Sequence, residues 1–193
     1  MAVFIKRNGD AMYLYHYYEK SNGPFRSLSD ISKDEADEIL ARLHDQGGTF
    51  ASYRKQDYMK TRKQLELHVR KLFIEKGGKP LRISPHYMVL EECPYLMTWY
   101  RETCFLRIPI ESFKRVTLSF TYGDMFPTFN PENDDGKEYR KKVYTYGEIL
   151  RLIEKYGLPQ SWNADGHYGP ERYIEVQVWS DEVIGEYIHF PEY

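Results

Sequence analysis

A run of residues near the end of the chain carries the side-chain types that line ligand clefts. Every second residue of 173–179 is a β-branched aliphatic one, which predicts a strand with an aliphatic core face. The other face then presents a carboxylate and an amide between two aromatic rings, from Tyr173, Glu175, Gln177 and Trp179. We interpret Glu175 as a candidate catalytic residue and Gln177 and Trp179 as candidate cofactor-binding residues. An edge strand with one wet face has the same pattern, so the sequence leaves both interpretations open.

A strand end in the middle of the chain supplies a second group of candidates. The alternation in 116–120 predicts a strand that runs into Gly123 and Asp124, and functional side chains often follow strand ends. Tyr122 and Asp124 would lie at this end. A plain Gly-Asp turn explains the same residues equally well.

The first predicted strand contains His16 among tyrosines. Because His16 shares a strand face with Met12 and Leu14, the pattern favours a hydrogen-bonded core histidine, with a catalytic role as the alternative. Arg26 follows a Gly-Pro turn and has the chemistry to bind an anion. Most arginines in such loops are simply surface residues.

Several frequent site motifs are missing from the sequence. It contains no glycine-rich phosphate loop, no Gly-x-Gly-x-x-Gly, no His-Glu-x-x-His and no Cys-x-x-Cys. The six histidines are scattered and Cys93 and Cys104 form no ligand set with them, so we expect no metal site. A chain with two cysteines, no apolar leader in 1–10 and no long apolar run is expected to be cytoplasmic and not to span a membrane.

The charge of the chain is unevenly distributed, although 27 Lys and Arg nearly balance 29 Asp and Glu. Residues 53–82 contain ten basic and three acidic residues, whereas 160–193 contain one basic and seven acidic ones. A basic helix over about 54–82 is therefore a candidate contact for nucleic acid or an acidic protein. A solvated helix face explains the composition as well, and we expect exposed side chains at Arg62, Lys63, Arg70 and Lys71.

The elements that must position these residues are predicted from caps and periodicity. Ser32-x-x-Glu35 and Thr145-x-x-Glu148 are capping boxes followed by apolar stripes and glycines. A third apolar stripe runs from Tyr58 to Phe73. Together the three patterns predict helices at 32–46, 56–76 and 145–156. Strands are predicted at 11–18, 49–53, 87–90, 104–110, 115–122, 140–144 and 171–179. This order predicts a single α+β domain over residues 1–193, with a mostly antiparallel sheet, continuous or split, and about three helices.

The chain as a whole resembles a family of small bacterial proteins of uncharacterised function. The resemblance rests on Leu-Tyr-His-Tyr at 14–17, Phe-Thr-Tyr-Gly-Asp at 120–124 and the string Gly-Pro-Glu-Arg-Tyr-Ile-Glu-Val-Gln-Val-Trp at 169–179. It implies no activity. The same strings also resemble motifs of ADP-ribosyltransferases of the His-Tyr-Glu type, because His16, Tyr122 and Glu175 occur in that order.

This second resemblance implies an NAD-using enzyme or NAD-binding protein built on a split antiparallel sheet. It implies that His16 binds the ribose, that Tyr122 stacks on the nicotinamide ring, and that Glu175 stabilises the positive charge that develops as the glycosidic bond breaks. Arg26, Gln177 and Trp179 would complete the NAD site. The alternative function is a non-catalytic binding or regulatory module that uses the basic helix.

Overall fold

The computed structural model of the protein describes residues 11–133 and 135–188. Residues 1–10, for which the sequence predicts no apolar leader, lie outside the described residues. Within the described ranges, no helix has the length and apolar character needed to cross a membrane.

One antiparallel sheet forms the centre of the fold, with the strand order β3-β1-β2-β5-β4. The strands are β1 Tyr13–Glu19, β2 His86–Leu90, β3 Thr103–Pro109, β4 Leu118–Thr121 and β5 Glu175–Val178. β1 pairs with β3 from Tyr13 to Glu19, but it pairs with β2 only through Leu14 and Tyr15. The sheet therefore has a narrow seam between β1 and β2.

The helices follow from their caps. The longer ones are α1 Lys33–Gln46, α2 Tyr58–Glu75 and α5 Tyr146–Tyr156, and the short ones are α3 Pro94–Met97, α4 Met125–Phe129, α6 Pro159–Trp162 and α7 Gly185–Ile188. At the start of α1 the Glu35 carboxylate accepts the Ser32 N–H at 3.0 Å, and at the start of α5 Glu148 accepts the Thr145 N–H at 2.8 Å. Both capping boxes act as predicted, and the predicted α+β fold with an antiparallel sheet is confirmed.

The two faces of the sheet differ in chemistry. The aliphatic face packs against Ile149 and Leu152 of α5 through Leu14, Met88, Leu118, Val176 and Val178. We call the other side the aromatic face, which carries Tyr15, Tyr17, Tyr87, Tyr173 and Glu175. Part of the aromatic face is covered by α2, whose Val69 and Phe73 pack with Trp179.

Two predicted strands are wrong. Residues 49–53 form a 3₁₀ turn, Phe50–Tyr53, because the Ser52 hydroxyl donates to the Thr49 carbonyl oxygen at 2.6 Å. Residues 140–144 keep only an isolated bridge between Tyr144 and Phe120. Lys141 in this segment has a φ of 58°, which no strand residue adopts.

Candidate functional site

A cavity of about 1050 Å³ lies between the aromatic face and the helical segment that connects β1 to β2. Tyr15, Tyr87 and Glu175 line it from the sheet, whereas Ile39 and Leu43 line it from α1. Ligand pockets commonly measure roughly 300–1,000 Å³. The cavity therefore has room for a ligand at the upper end of that range.

Aromatic rings form much of the cavity wall. Tyr58 and Phe126 stack in parallel with their centroids 5.2 Å apart, and Phe50 stacks on Trp99 at 3.9 Å. Other rings in the wall come from Tyr15, Tyr17, Tyr53, Tyr87, Tyr95, Tyr100 and Tyr173. Such walls suit flat ligand groups, and the faces of the rings attract cations.

Glu175 is the carboxylate of the sheet wall. It lies at the start of β5, opposite Val89 of β2 and Thr121 of β4, and only 7% of its surface is exposed. Strand alternation predicted correctly that it points away from the aliphatic face. It points into the cavity wall rather than into open solvent.

A chain of hydrogen bonds behind the cavity fixes which role one Glu175 oxygen plays. The Trp179 indole N–H donates to Ser119 Oγ at 2.8 Å, and the Ser119 hydroxyl donates to Gln177 Oε1 at 2.7 Å. Gln177 Nε2 then donates to Glu175 Oε1 at 2.9 Å. The indole at one end of this chain can only donate, and at the other end Glu175 Oε1 accepts.

Asp124 is the second carboxyl group of the cavity. Its Oδ1 accepts the Phe126 N–H at 2.7 Å, which caps α4, and its Oδ2 accepts the Tyr173 hydroxyl at 3.0 Å. The preceding residue, Gly123, has a φ of 114°, a conformation that favours glycine. The turn that the sequence indicated therefore exists, and it also delivers a carboxyl group to the cavity.

Asp124 and Glu175, which we call the carboxyl pair, affect each other's ionisation. Burial raises the pKa of Glu175 well above its usual range, and the negative charge of Asp124 raises this pKa further. Burial also raises the pKa of Asp124, against the hydrogen bonds from Phe126 and Tyr173. Two such carboxyl groups titrate together, so the pair resists losing its last proton.

Arg62, a basic residue whose charge acts on both members of the carboxyl pair, is itself paired with another acid. Arg62 Nε donates to Glu66 Oε1 at 3.0 Å, and both side chains are largely buried. The same Glu66 oxygen accepts the hydroxyls of Tyr87 and Ser29. Among residues 11–133 and 135–188, no Lys, Arg or His forms an ion pair with Asp124 or Glu175. The charges of Arg54 and Arg62 lower the pKa of Asp124, and that of Arg62 lowers the pKa of Glu175, but burial outweighs them at both carboxyl groups.

Three arginines of the cavity wall show the opposite imbalance, because they lack an acidic partner. They are Arg26, Arg54 and Arg172. Arg54 lies over the Tyr58 ring at 4.4 Å and Arg172 over the Tyr95 ring at 3.3 Å, and within the described part of the chain none of the three pairs with a carboxylate. Guanidinium groups in this state are suited to bind phosphate oxygens.

His16 also borders the cavity, but its ring is fully engaged. Its Nδ1 lies 2.9 Å from the Tyr87 carbonyl oxygen and its Nε2 accepts the Phe25 N–H at 2.9 Å. These partners require the neutral form with the proton on Nδ1. Burial lowers the pKa of His16 to about 4, so this residue occupies the seam between β1 and β2 as a neutral bridge.

The structure brings some of the predicted site residues together and separates others. His16, Glu175 and Arg26 line one cavity. Tyr122 does not line it, since its ring belongs to the aliphatic-face core and its hydroxyl donates to the Gly157 carbonyl oxygen at 2.7 Å. Gln177 and Trp179 do not line it either, because both are fully buried and act on Glu175 from behind. In this structure Tyr122, Gln177 and Trp179 are therefore not placed to contact a ligand in the cavity, although the sequence indicated all three as site residues.

A second buried carboxylate lies close by but outside the cavity. Glu171 accepts Lys137 Nζ at 2.6 Å, the Tyr139 hydroxyl at 2.5 Å and Arg140 at 2.6 Å. Arg140 also pairs with Asp135 at 2.7 Å. Burial would raise the pKa of Glu171, but these donors outweigh it and lower the pKa. We call these residues the Glu171 cluster.

The basic helix is only partly as predicted. Lys63 and Lys71 are exposed on α2, but Arg62 is turned inward to Glu66 and Arg70 is half-buried against its own chain. Arg62 and Glu66 were not predicted from the sequence as residues of the site. A signal was present, since both fall on the helix stripe that contains Tyr58 and Val69, where a charged residue must have a buried partner.

No group of three or more His, Cys, Asp or Glu side chains in the described ranges is arranged to hold a metal ion. Comparison of the chain with protein-family models, with curated proteins and with solved structures finds no match.

Proposed function

We propose that the protein binds NAD in this cavity and breaks the bond between nicotinamide and ribose, as an NAD hydrolase or ADP-ribosyltransferase. The observation that carries the proposal is the charge arrangement of one cavity. Within the described residues, a buried carboxyl pair that forms no ion pair lies in the same cavity as three arginines that form none. NAD has the complementary pattern, a cationic nicotinamide ring joined to an anionic pyrophosphate.

The aromatic wall supports the same ligand. The nicotinamide ring would lie at the carboxyl pair, where Tyr87, Tyr173 and Phe126 line the cavity. Arg54 and Arg172 would face the phosphates. The resemblance to His-Tyr-Glu ADP-ribosyltransferases, carried by His16 and Glu175, points to the same class of ligand.

The chemistry follows from the carboxyl pair. When nicotinamide leaves, the electron pair of the broken carbon–nitrogen bond stays with the ring nitrogen and positive charge builds on the ribose. An ionised Glu175 stabilises that charge. Water or an acceptor hydroxyl then bonds to the ribose carbon and gives its proton to Asp124. The cationic ring compensates for the buried negative charge, so bound NAD favours the ionised pair.

Nicotinamide release from NAD tests the proposal directly. We expect the full chain to bind NAD by calorimetry and to release nicotinamide measured by chromatography. Glu175→Gln should lower turnover by about a hundredfold or more, whereas Glu154→Gln, an exposed carboxylate on α5, should leave it unchanged. A wild-type chain that neither binds NAD nor releases nicotinamide would overturn the proposal.

The second candidate function is a non-catalytic module that binds a macromolecule through residues 54–82. The exposure of Lys60, Lys63 and Lys71 in one row of α2 supports it. Loss of the NAD function would leave this candidate standing, since the row lies on the outer side of α2.

A further inference from the structure

Four large aliphatic side chains are exposed in one region next to α2. Leu67 and Ile74 on α2 are about half exposed, and Leu81 and Ile83, in the segment that leads into β2, are 71% and 74% exposed. A single exposed aliphatic residue is ordinary on a protein surface. A contiguous group of them marks a surface that another molecule covers.

Arg70 makes the four residues one surface. It lies three residues after Leu67 and four before Ile74, so it stands between them on the helix. Its guanidinium group donates to the carbonyl oxygens of Arg82 at 2.9 Å and Pro80 at 3.2 Å. The segment that carries Leu81 is therefore attached to the helix face that carries Leu67 and Ile74.

The same segment is held rigidly from its inner side. The N–H groups of Leu81 and Arg82 both donate to the Trp179 carbonyl oxygen, at 2.9 and 3.1 Å. The Arg82 side chain pairs with Asp30 and Asp181. With Arg82 directed inward, its neighbours Leu81 and Ile83 are held outward. A surface that is already ordered loses little entropy when a partner binds.

The charges around this surface are mostly positive. Lys60, Lys63 and Lys71 are exposed and share a narrow arc of α2 with Leu67 and Ile74, as their spacing of three, four and seven residues requires. Lys79 adds a further exposed cation. The acids beside this surface are each paired with one of its basic residues, Glu75 with Lys71 at 3.9 Å and Asp30 and Asp181 with Arg82. A covering partner must therefore be acidic as well as apolar.

We propose that this surface docks an acidic segment of a partner protein that inserts apolar side chains between Leu67, Ile74, Leu81 and Ile83. Aliphatic side chains contribute little to nucleic-acid binding, because single strands bind by stacking their bases on aromatic rings. The two arginines of α2 that suit phosphates, Arg62 and Arg70, are engaged with the protein itself. Membrane-surface contacts favour aromatic anchors, and the four apolar residues here are all aliphatic.

The test is a selection from a phage-displayed library of random 15-residue peptides on the full-length chain. The counter-selection uses a variant with Leu81→Ser, Ile83→Ser and Lys71→Glu. We expect enriched peptides that combine Asp or Glu with Leu, Ile or Phe, and about tenfold weaker binding of these peptides to the variant. A variant with Met97→Ser and Lys20→Glu, which changes exposed residues elsewhere, should bind them like wild type.

Two further probes decide between partner classes. A 20-nucleotide single-stranded RNA and vesicles of phosphatidylserine and phosphatidylcholine should bind no better to the wild type than to the triple variant. No enrichment over the variant, enrichment of basic peptides, or RNA or vesicle binding that the triple variant loses would each overturn the proposal. NAD binding by every variant is expected to be unchanged, so the outcome is separate from the proposed enzymatic function.

Discussion

Glu171 and Glu175 are buried glutamates four residues apart, yet the protein treats them in opposite ways. Glu171 has two cations and a tyrosine hydroxyl as donors, and these lower its pKa. Glu175 has an amide donor and a neighbouring carboxyl group, so burial and that negative charge raise its pKa. Burial alone therefore does not define the role of a carboxylate; the partners do.

The different partners give the two glutamates different roles, a structural one for Glu171 and a reactive one for Glu175. A buried charge with complete partners joins segments that are distant in sequence, and here it attaches residues 135–140 to the approach of β5. A buried carboxyl group without a cation costs folding energy, and proteins concentrate such groups at functional sites. The Glu171 cluster therefore stabilises the fold, whereas the carboxyl pair is available to a ligand.

Glu171→Gln should have the largest effect on stability. Removing this charge takes the buried partner from Arg140 and Lys137, which keep only the more exposed Asp135, and breaking a buried pair costs up to about 3–5 kcal/mol. Urea denaturation at pH 7 measures the loss in the free energy of unfolding. A loss similar to that of an exposed variant, such as Glu154→Gln, would contradict the distinction between the two glutamates.

Glu175→Gln should not lower that free energy at pH 7 and is expected to raise it, because the raised pKa of Glu175 costs the wild type stability at this pH, whereas the amide does not titrate. Its new carbonyl oxygen can still accept the Gln177 amide. The same denaturation experiment checks this expectation, and nicotinamide release from the same sample supplies the contrast. A variant as unstable as Glu171→Gln would show that Glu175 is structural.

The pH dependence of stability should separate the two regions. The pKa of Glu175 is raised in the folded state, so its contribution to stability is complete below about pH 4 and is lost as the pH rises towards the folded value. The Arg140 hydrogen bond lowers the pKa of Asp135 to about 2, so its contribution is present above about pH 4 and is lost as the pH falls towards 2.

Denaturation of Glu175→Gln and Asp135→Asn from pH 2 to 8 measures these slopes. We expect the stability of Glu175→Gln relative to wild type to rise with pH above 4. The deficit of Asp135→Asn should shrink as the pH falls below 4. Curves that stay parallel to wild type would show that neither carboxyl group is perturbed as described.

Tyr122→Phe should lower stability slightly and leave turnover unchanged. The change removes one hydrogen bond, to the Gly157 carbonyl oxygen, and should cost about 1 kcal/mol of stability. Nicotinamide release should be unchanged because Tyr122 does not line the cavity. If turnover instead falls as far as in Glu175→Gln, the assignment of Tyr122 to the core is wrong.

Much of this arrangement was readable from local sequence. Capping boxes at Ser32 and Thr145 located two helices, and alternation in 173–179 assigned Glu175 to the correct face. What local patterns could not predict was which groups meet Glu175. Asp124 lies 51 positions away in the sequence, so its contact depends on the pairing of β4 with β5.

The errors have similar physical causes. Gln177 and Trp179 share the strand face of Glu175, but α2 covers that end of the sheet. The two side chains therefore lie behind Glu175 and do not form part of the cavity wall. Segment 140–144 looked like a strand from its composition. Arg140 instead joins the Glu171 cluster, and the positive φ of Lys141 ends any pairing there.

The short pairing between β1 and β2 makes the sheet divisible. The ladder between β1 and β2 covers Leu14 and Tyr15, with further bonds from the Glu91 N–H to the Tyr13 carbonyl oxygen and between His16 and Tyr87, whereas β5 is paired on both sides. We therefore expect amide hydrogens of β5 to exchange with deuterium only on global unfolding, and those of β1 that face β2 to exchange through a smaller opening. Since residues of both β1 and β2 line the cavity, we expect a ligand bound there to slow the exchange of the β1 amides that face β2.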